Sequence, residues 1–211
     1  MQMASESTHL HIASIIKGKL PKRQRDLINK SPDIYHFGAI APDIFMYSLK
    51  FRNISKKMHS NETANELIKK TGTDSLPFLY GWLAHIETDI VFHKALPKSA
   101  YEHLYSETSV DKCLKLENPI KLNAEIPKQF ANISGLPEKM ISKLAKRQII
   151  INRLFAKSRF LHYLVPRKAK AMFHRHIREL KTPKNLDRLI KEAIKKSIKR
   201  IVCLNKPKTE A

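Results

Sequence analysis

Apolar positions along most of this chain recur at three- and four-residue spacing, the period of an α-helix that buries one face. Ser5 and Ser7 suit the cap of a first helix from about Thr8 to Lys19, and Pro21 opens a short second one. The apolar stretch Ile34 to Tyr47 is broken by Gly38 and Pro42, which predicts a buried helix end or turn around Asp43. Ser60, followed by Thr63, Leu67 and Ile68, starts a third helix that Gly72 closes, with His59 just outside its beginning. The most apolar segment runs from Ser75 to Ala95 with Pro77 in its first turn, and another helix is predicted from Pro97 to Glu117. Pro119 and Pro127 mark an irregular connection. Helical patterns then cover 137–157, 158–180 and 184–204. In the last, Leu186, Leu189, Ile190, Ala193, Ile194, Ile198 and Ile201 form a single apolar stripe with lysines on the other faces. Period-two alternation is scarce, so the expected fold class is all-α, a multi-helix bundle.

Length and charge refine this picture. A chain of 211 residues is long enough for one well-cored domain with an appendage and too short for three. The net charge of +21 is unevenly spread: residues 1–111 carry 14 Lys+Arg against 12 Asp+Glu, and residues 112–211 carry 26 against 7. We therefore expect a core over residues 1–118 and a basic helical region over 119–211, packed on it. A surface of that sign attracts polyanions, either nucleic acid or the anionic headgroups of a membrane; a lysine-rich solvated face is the plainer alternative. Neither a secretory leader nor a transmembrane stretch is expected, which points to a cytoplasmic protein, peripheral on the inner membrane face if it meets lipid. Cys113 and Cys203 differ in context and form no framework, so any metal must be held by His, Asp and Glu.

The candidate chemistry lies in the near-neutral half, which holds seven of the ten histidines between positions 9 and 103. His85, Asp89 and His93 stand four residues apart, advancing about 40° per step, so all three face one way. His103, Glu107 and Asp111 repeat that spacing in the next predicted helix. One such pair on a helix is ordinarily a surface hydrogen bond, but two triads on consecutive helices suit a metal cluster inside a bundle. The first triad also sits in the apolar run Phe78 to Ile86, where a lone buried Asp is costly and a cation removes the cost.

Five short motifs then fall in order: Thr8-His9-Leu10; Phe37-Gly38-Ala39-Ile40-Ala41-Pro42-Asp43; Met58-His59; Tyr80-Gly81-Trp82-Leu83-Ala84-His85 with Asp89 and His93; and His103, Glu107 and Asp111. Together they resemble the zinc-dependent phospholipase C family over roughly residues 5–111. The resemblance implies the all-helical fold shared with P1-type nucleases and a zinc cluster. It implies that Asp43, His59, His85 and Asp89 hold one Zn2+, that His93, His103 and Glu107 hold a second, and that His9 with Asp89 belongs to a third. In secreted members the third is completed by the amino group and carbonyl of a mature N-terminal Trp. Met1-Gln2-Met3 supplies none, so two sites are expected and the third is left open. His36 is read as a packed or capping residue, and His162, His174 and His176 as surface or core residues. Asp43 is the candidate catalytic residue, either orienting and deprotonating water or serving only as a ligand; Asp111 is expected to orient His103.

Three functions remain open from the sequence. The first is a phospholipase C-like hydrolase that cleaves the headgroup ester of a phospholipid with a zinc-activated hydroxide, its basic half docked on an anionic membrane. The second is a zinc nuclease, with Phe130, Phe155, Phe160, Tyr163 and Phe173 available for stacking on bases, although core packing suits most of them. The third is a non-enzymatic helical protein stapled by zinc.

Overall fold

The structure is a computed structural model, described here over residues 6–45, 52–70, 72–95, 125–157 and 183–204. The described residues contain helices and turns and no strand. The elements are α1 (Glu6–Lys19), α2 (Lys22–Lys30), α3 (Pro32–Gly38), a 3-10 turn (Ala41–Phe45), α4 (Arg52–Met58), α5 (Asn61–Lys70), a short 3-10 turn (Thr73–Ser75), α6 (Leu76–Ala95), α7 (Glu125–Ser134), α8 (Glu138–Lys157) and α9 (Pro183–Cys203). The fold is therefore the all-α bundle that the periodicity predicts.

Helix α6 runs through the middle. Its residues 77–86 are buried without interruption, as a helix apolar on all sides must be. α3 and α9 make its main contacts, and α1 lies against both α6 and α9. The basic region is thus part of the packing around the central helix. Arg200 of α9 donates to the Glu87 carboxylate of α6 at 2.7 Å, fastening the two in a partly buried ion pair. Phe130 of α7 is fully buried among Phe37, Phe45, Phe78 and Trp82, with ring centroids 5.1 to 6.1 Å away. Its ring belongs to the core, which removes it from the base-stacking candidates. The side chains of Phe155, Phe160, Tyr163 and Phe173 lie outside the described residues, as do His162, His174, His176 and the predicted helices 97–117 and 158–180.

Several boundaries differ from the sequence reading. Helix α4 was not anticipated, because its one-sided apolar pattern is only two turns long. Pro127 does not break the chain; it lies in the first turn of α7, where its missing N–H removes no helical hydrogen bond. The stretch around Asp43 resolves into α3 followed by a tight 3-10 turn in which the Asp43 N–H donates to Ile40 O at 3.1 Å.

The crossing of α3 over α6 is exceptionally close because glycines stand at the contact. A Cβ on Gly81 would overlap the carbonyl oxygen of Tyr35 and come within 2.8 Å of the Ala39 nitrogen; one on Gly38 would overlap the carbonyl oxygen of Phe78. These neighbours are backbone atoms and cannot rotate away. Gly81→Ala is accordingly expected to destabilise the fold by about 1–3 kcal/mol or more in denaturant unfolding, as overpacking does. Gly18→Ala, on α1 with open space where the methyl would go, should leave stability unchanged or raise it by up to about 1 kcal/mol.

Candidate metal centre

Four separate segments deliver side chains to one buried place beside α6. His85, Asp89 and His93 come from a single face of that helix, at the spacing noted in the sequence. His9 comes from α1, whose neighbouring Leu10, Ile12, Ala13 and Ile16 are buried and hold the helix against α6. Asp43 comes from the 3-10 turn and is buried. His59 sits in the corner between α4 and α5. There the Ser60 hydroxyl caps α5 by accepting from the Thr63 N–H at 3.1 Å, and the Thr63 hydroxyl donates to the Lys57 carbonyl at 2.8 Å. The two bonds tie both helix ends together and fix His59 between them.

The polar atoms converge tightly. His59 Nε2 lies 3.0 Å from Asp43 Oδ1, 3.5 Å from Asp89 Oδ2 and 3.3 Å from His85 Nε2. His85 Nε2 lies 3.3 Å from Asp89 Oδ2 and 3.8 Å from Asp43 Oδ1. On the other side of the Asp89 carboxylate, Oδ1 lies 3.2 Å from His9 Nε2 and 3.6 Å from His93 Nε2. Asp89 therefore faces two groups of histidines, one with each oxygen. The His9 and His85 rings stack at 4.0 Å, inclined by 20°.

A backbone contact sets the chemistry of His85. Its Nδ1 donates to the Ala39 carbonyl at 2.8 Å, and since a carbonyl only accepts, Nδ1 carries the hydrogen and Nε2 of the neutral ring presents a lone pair to the cluster. This partner is not legible in the sequence, because a main-chain oxygen leaves no residue signature. It reaches His85 through the close crossing at Gly38 and Gly81.

Electrostatics pull the stacked rings apart. Burial, then the neighbouring His85, lowers the pKa of His9 below its ordinary value of 6.5. Burial also works against charge on His85, but Asp89 and then Asp43 outweigh it and raise its pKa above 6.5. Burial likewise opposes charge on Asp89, yet His85 and His9 hold its carboxyl well below the usual carboxylate range. The two carboxylates thus favour positive charge at the point where the histidines meet.

The donor set fits a borderline metal such as zinc. Ligand atoms of His59, His85 and Asp89, and separately those of His9, Asp43 and His85, lie within 4.8 Å of one another. Imidazole nitrogens and carboxylate oxygens are the ligands zinc takes in catalytic sites. Two buried atoms at the cluster, His9 Nδ1 and Asp43 Oδ2, have no hydrogen-bond partner among the described residues. So many converging acceptors in a buried site are tolerable only beside positive charge. Of the residues singled out in sequence, the structure brings together His9, Asp43, His59, His85, Asp89 and His93. His103, Glu107 and Asp111 lie outside the described residues. His36 stands apart, 3.5 Å from the Ser14 hydroxyl and beside the Tyr35 ring.

This arrangement sets a measurable proton count. Asp89 and Asp43 raise the pKa of His85, whereas metal ligation needs the neutral ring, so zinc uptake is expected to release a proton and to weaken as pH falls. Calorimetric titration with Zn2+ in buffers of different ionisation enthalpy counts it; uptake with no net proton release at pH 6.5 would contradict the assignment. In comparisons with known proteins, no curated protein and no solved structure matched the chain. A family description, zinc dependent phospholipase C, matches from residue 8 to residue 201. That match takes in α6 with its histidines and nearly all of α9 alike, and the chain belongs to the zinc dependent phospholipase C family.

Proposed function

We propose that the chain is a zinc-dependent hydrolase of phosphoric diesters that releases the phosphorylated headgroup of a phospholipid. The observation that carries this reading is the convergence of His59, His85, Asp43 and both oxygens of Asp89 in a buried site of a chain that belongs to this family. In it, Asp43, His59, His85 and Asp89 hold one ion, His93 with His103 and Glu107 a second, and His9 with Asp89 furnishes a third locus. Zinc bound there supplies Lewis acidity, which acidifies water and offsets the charge that grows on the phosphoryl oxygens.

The residues do the rest. His85, its tautomer fixed by the Ala39 carbonyl, keeps its ring aimed at the centre. Asp43 acts as the base: Oδ1 is engaged by His59 while Oδ2, buried and without a hydrogen-bond partner among the described residues, is left to take a proton from water. His59 and His93 are the more exposed members of the cluster, with side-chain exposures of 23% and 27%, and mark the side from which substrate enters. Membrane contact in this reading is peripheral; among the described residues no helix is long and apolar enough to cross a bilayer. The basic region supplies that contact from the cytoplasmic side.

The test is metal analysis of the purified protein, followed by parallel assays on phosphatidylcholine, single-stranded DNA and an aryl phosphodiester with and without zinc. Phosphocholine release that requires zinc is the expected result; cleavage of DNA alone would transfer the protein to the nucleases, and failure on all three would defeat the proposal. Asp43→Asn should lower kcat by about 10²–10⁴-fold while reducing zinc content far less than the loss of a histidine ligand does. His85→Ala should lose tight zinc binding altogether, and an unchanged metal content would refute its role.

A further inference from the structure

Helix α8 has two unlike faces. Ile141, Leu144, Ala145 and Gln148 are buried, on the side where the helix packs against α7 and against the 3-10 turn that carries Asp43. Lys139, Lys143, Lys146 and Ile150 follow one another at steps of four, three and four residues and form one exposed stripe, with Arg147 exposed beside it. Among the described residues none of these cations has an ion-pair partner. Ile150 is 58% exposed, and it is the one large hydrophobic residue standing so far out among the described residues.

We infer that this outer face of α8 docks the protein on an anionic bilayer, the lysines at the headgroups and Ile150 entering the boundary with the acyl chains. Two features of the stripe carry the argument together. Lysine is a compact charge on a long apolar stem, able to reach anionic headgroups while its methylenes lie along the interface. An exposed aliphatic group among such lysines is a cost in water and a gain at a bilayer surface. A nucleic-acid track favours aromatic or arginine planes that stack on bases, and a branched aliphatic side chain adds nothing there. Helix α9 offers a contrast within the same molecule. Its exposed Arg188, Lys191, Lys195 and Lys199 also form a stripe, but one without an exposed large apolar residue. A uniform electrostatic attraction would use both stripes; a bilayer selects α8. The placement also suits the proposed reaction, because one helix, about 10 Å thick, separates the docking face from the turn that bears Asp43.

The proposal rests on the phospholipid reading for its purpose, though its binding test does not require turnover. Zinc-loaded full-length protein is sedimented with vesicles of phosphatidylcholine alone or mixed with phosphatidylserine, and hydrolysis of a short-chain, monomeric phosphatidylcholine is followed alongside. Lys139→Glu, Lys143→Glu and Lys146→Glu combined should weaken binding to mixed vesicles about 100-fold, and Ile150→Ser alone about tenfold. Both should leave short-chain hydrolysis unchanged. Arg188→Glu, Lys191→Glu and Lys195→Glu combined should cost far less binding than the α8 reversal. Undiminished vesicle binding by the α8 variants overturns the docking face, as does an equal loss on reversing α9, or a loss of DNA binding in place of lipid binding. Zinc-loaded protein that docks through α8 but cleaves no phospholipid upholds the docking face and defeats only the proposed reaction.

Discussion

Two backbones touch where α3 crosses α6, and the touch is possible because Gly38 and Gly81 present no side chain to it. With any larger residue at either point the helices would separate, and the chain just beyond α3 would move with them. That chain holds the Ala39 carbonyl, which accepts from His85, and leads within a few residues to Asp43. A packing constraint between two helices thereby becomes a constraint on the protonation and aim of a histidine. The rings of Phe78, Trp82 and Phe130 pack against one another in the core that surrounds it.

The buried cluster costs stability when no metal is present. Two carboxylates and several imidazoles lie close together there, and Asp89 and Asp43 favour positive charge on the His85 ring between them. A divalent cation serves the same carboxylates with twice the charge and a directional bond to each donor, so the fold is built to be most stable with metal bound. Asp89 is central to that account, because its oxygens face different histidines and a change on one side is felt on the other.

Much of this was legible in the sequence, for reasons that differ from residue to residue. The four-residue spacing of His85, Asp89 and His93 survives into three dimensions because an α-helix converts that spacing directly into a face. The turn around Asp43 was legible because Gly38 and Pro42 flag it, and the place of His59 because Ser60 caps the helix after it, but their membership of a metal site came from the family resemblance alone. The Ala39 carbonyl was invisible, as every residue carries one. The ion pair of Glu87 with Arg200 was equally hidden, since charge identity says nothing about which of many distant arginines will arrive. The sequence also suggested a catalytic core over residues 1–118 with a basic helical region packed on it, and among the described residues α7 and α9 lie against helices of the first part.

That last packing bears on how the protein is made. Glu87 and Arg200 are 113 residues apart, so at ordinary rates of synthesis α6 waits roughly ten seconds or more for the helix that covers one of its sides. During that interval one of the most apolar segments of the chain lacks the helix that packs along it, so the surroundings of its buried face are completed only once α9 has been made.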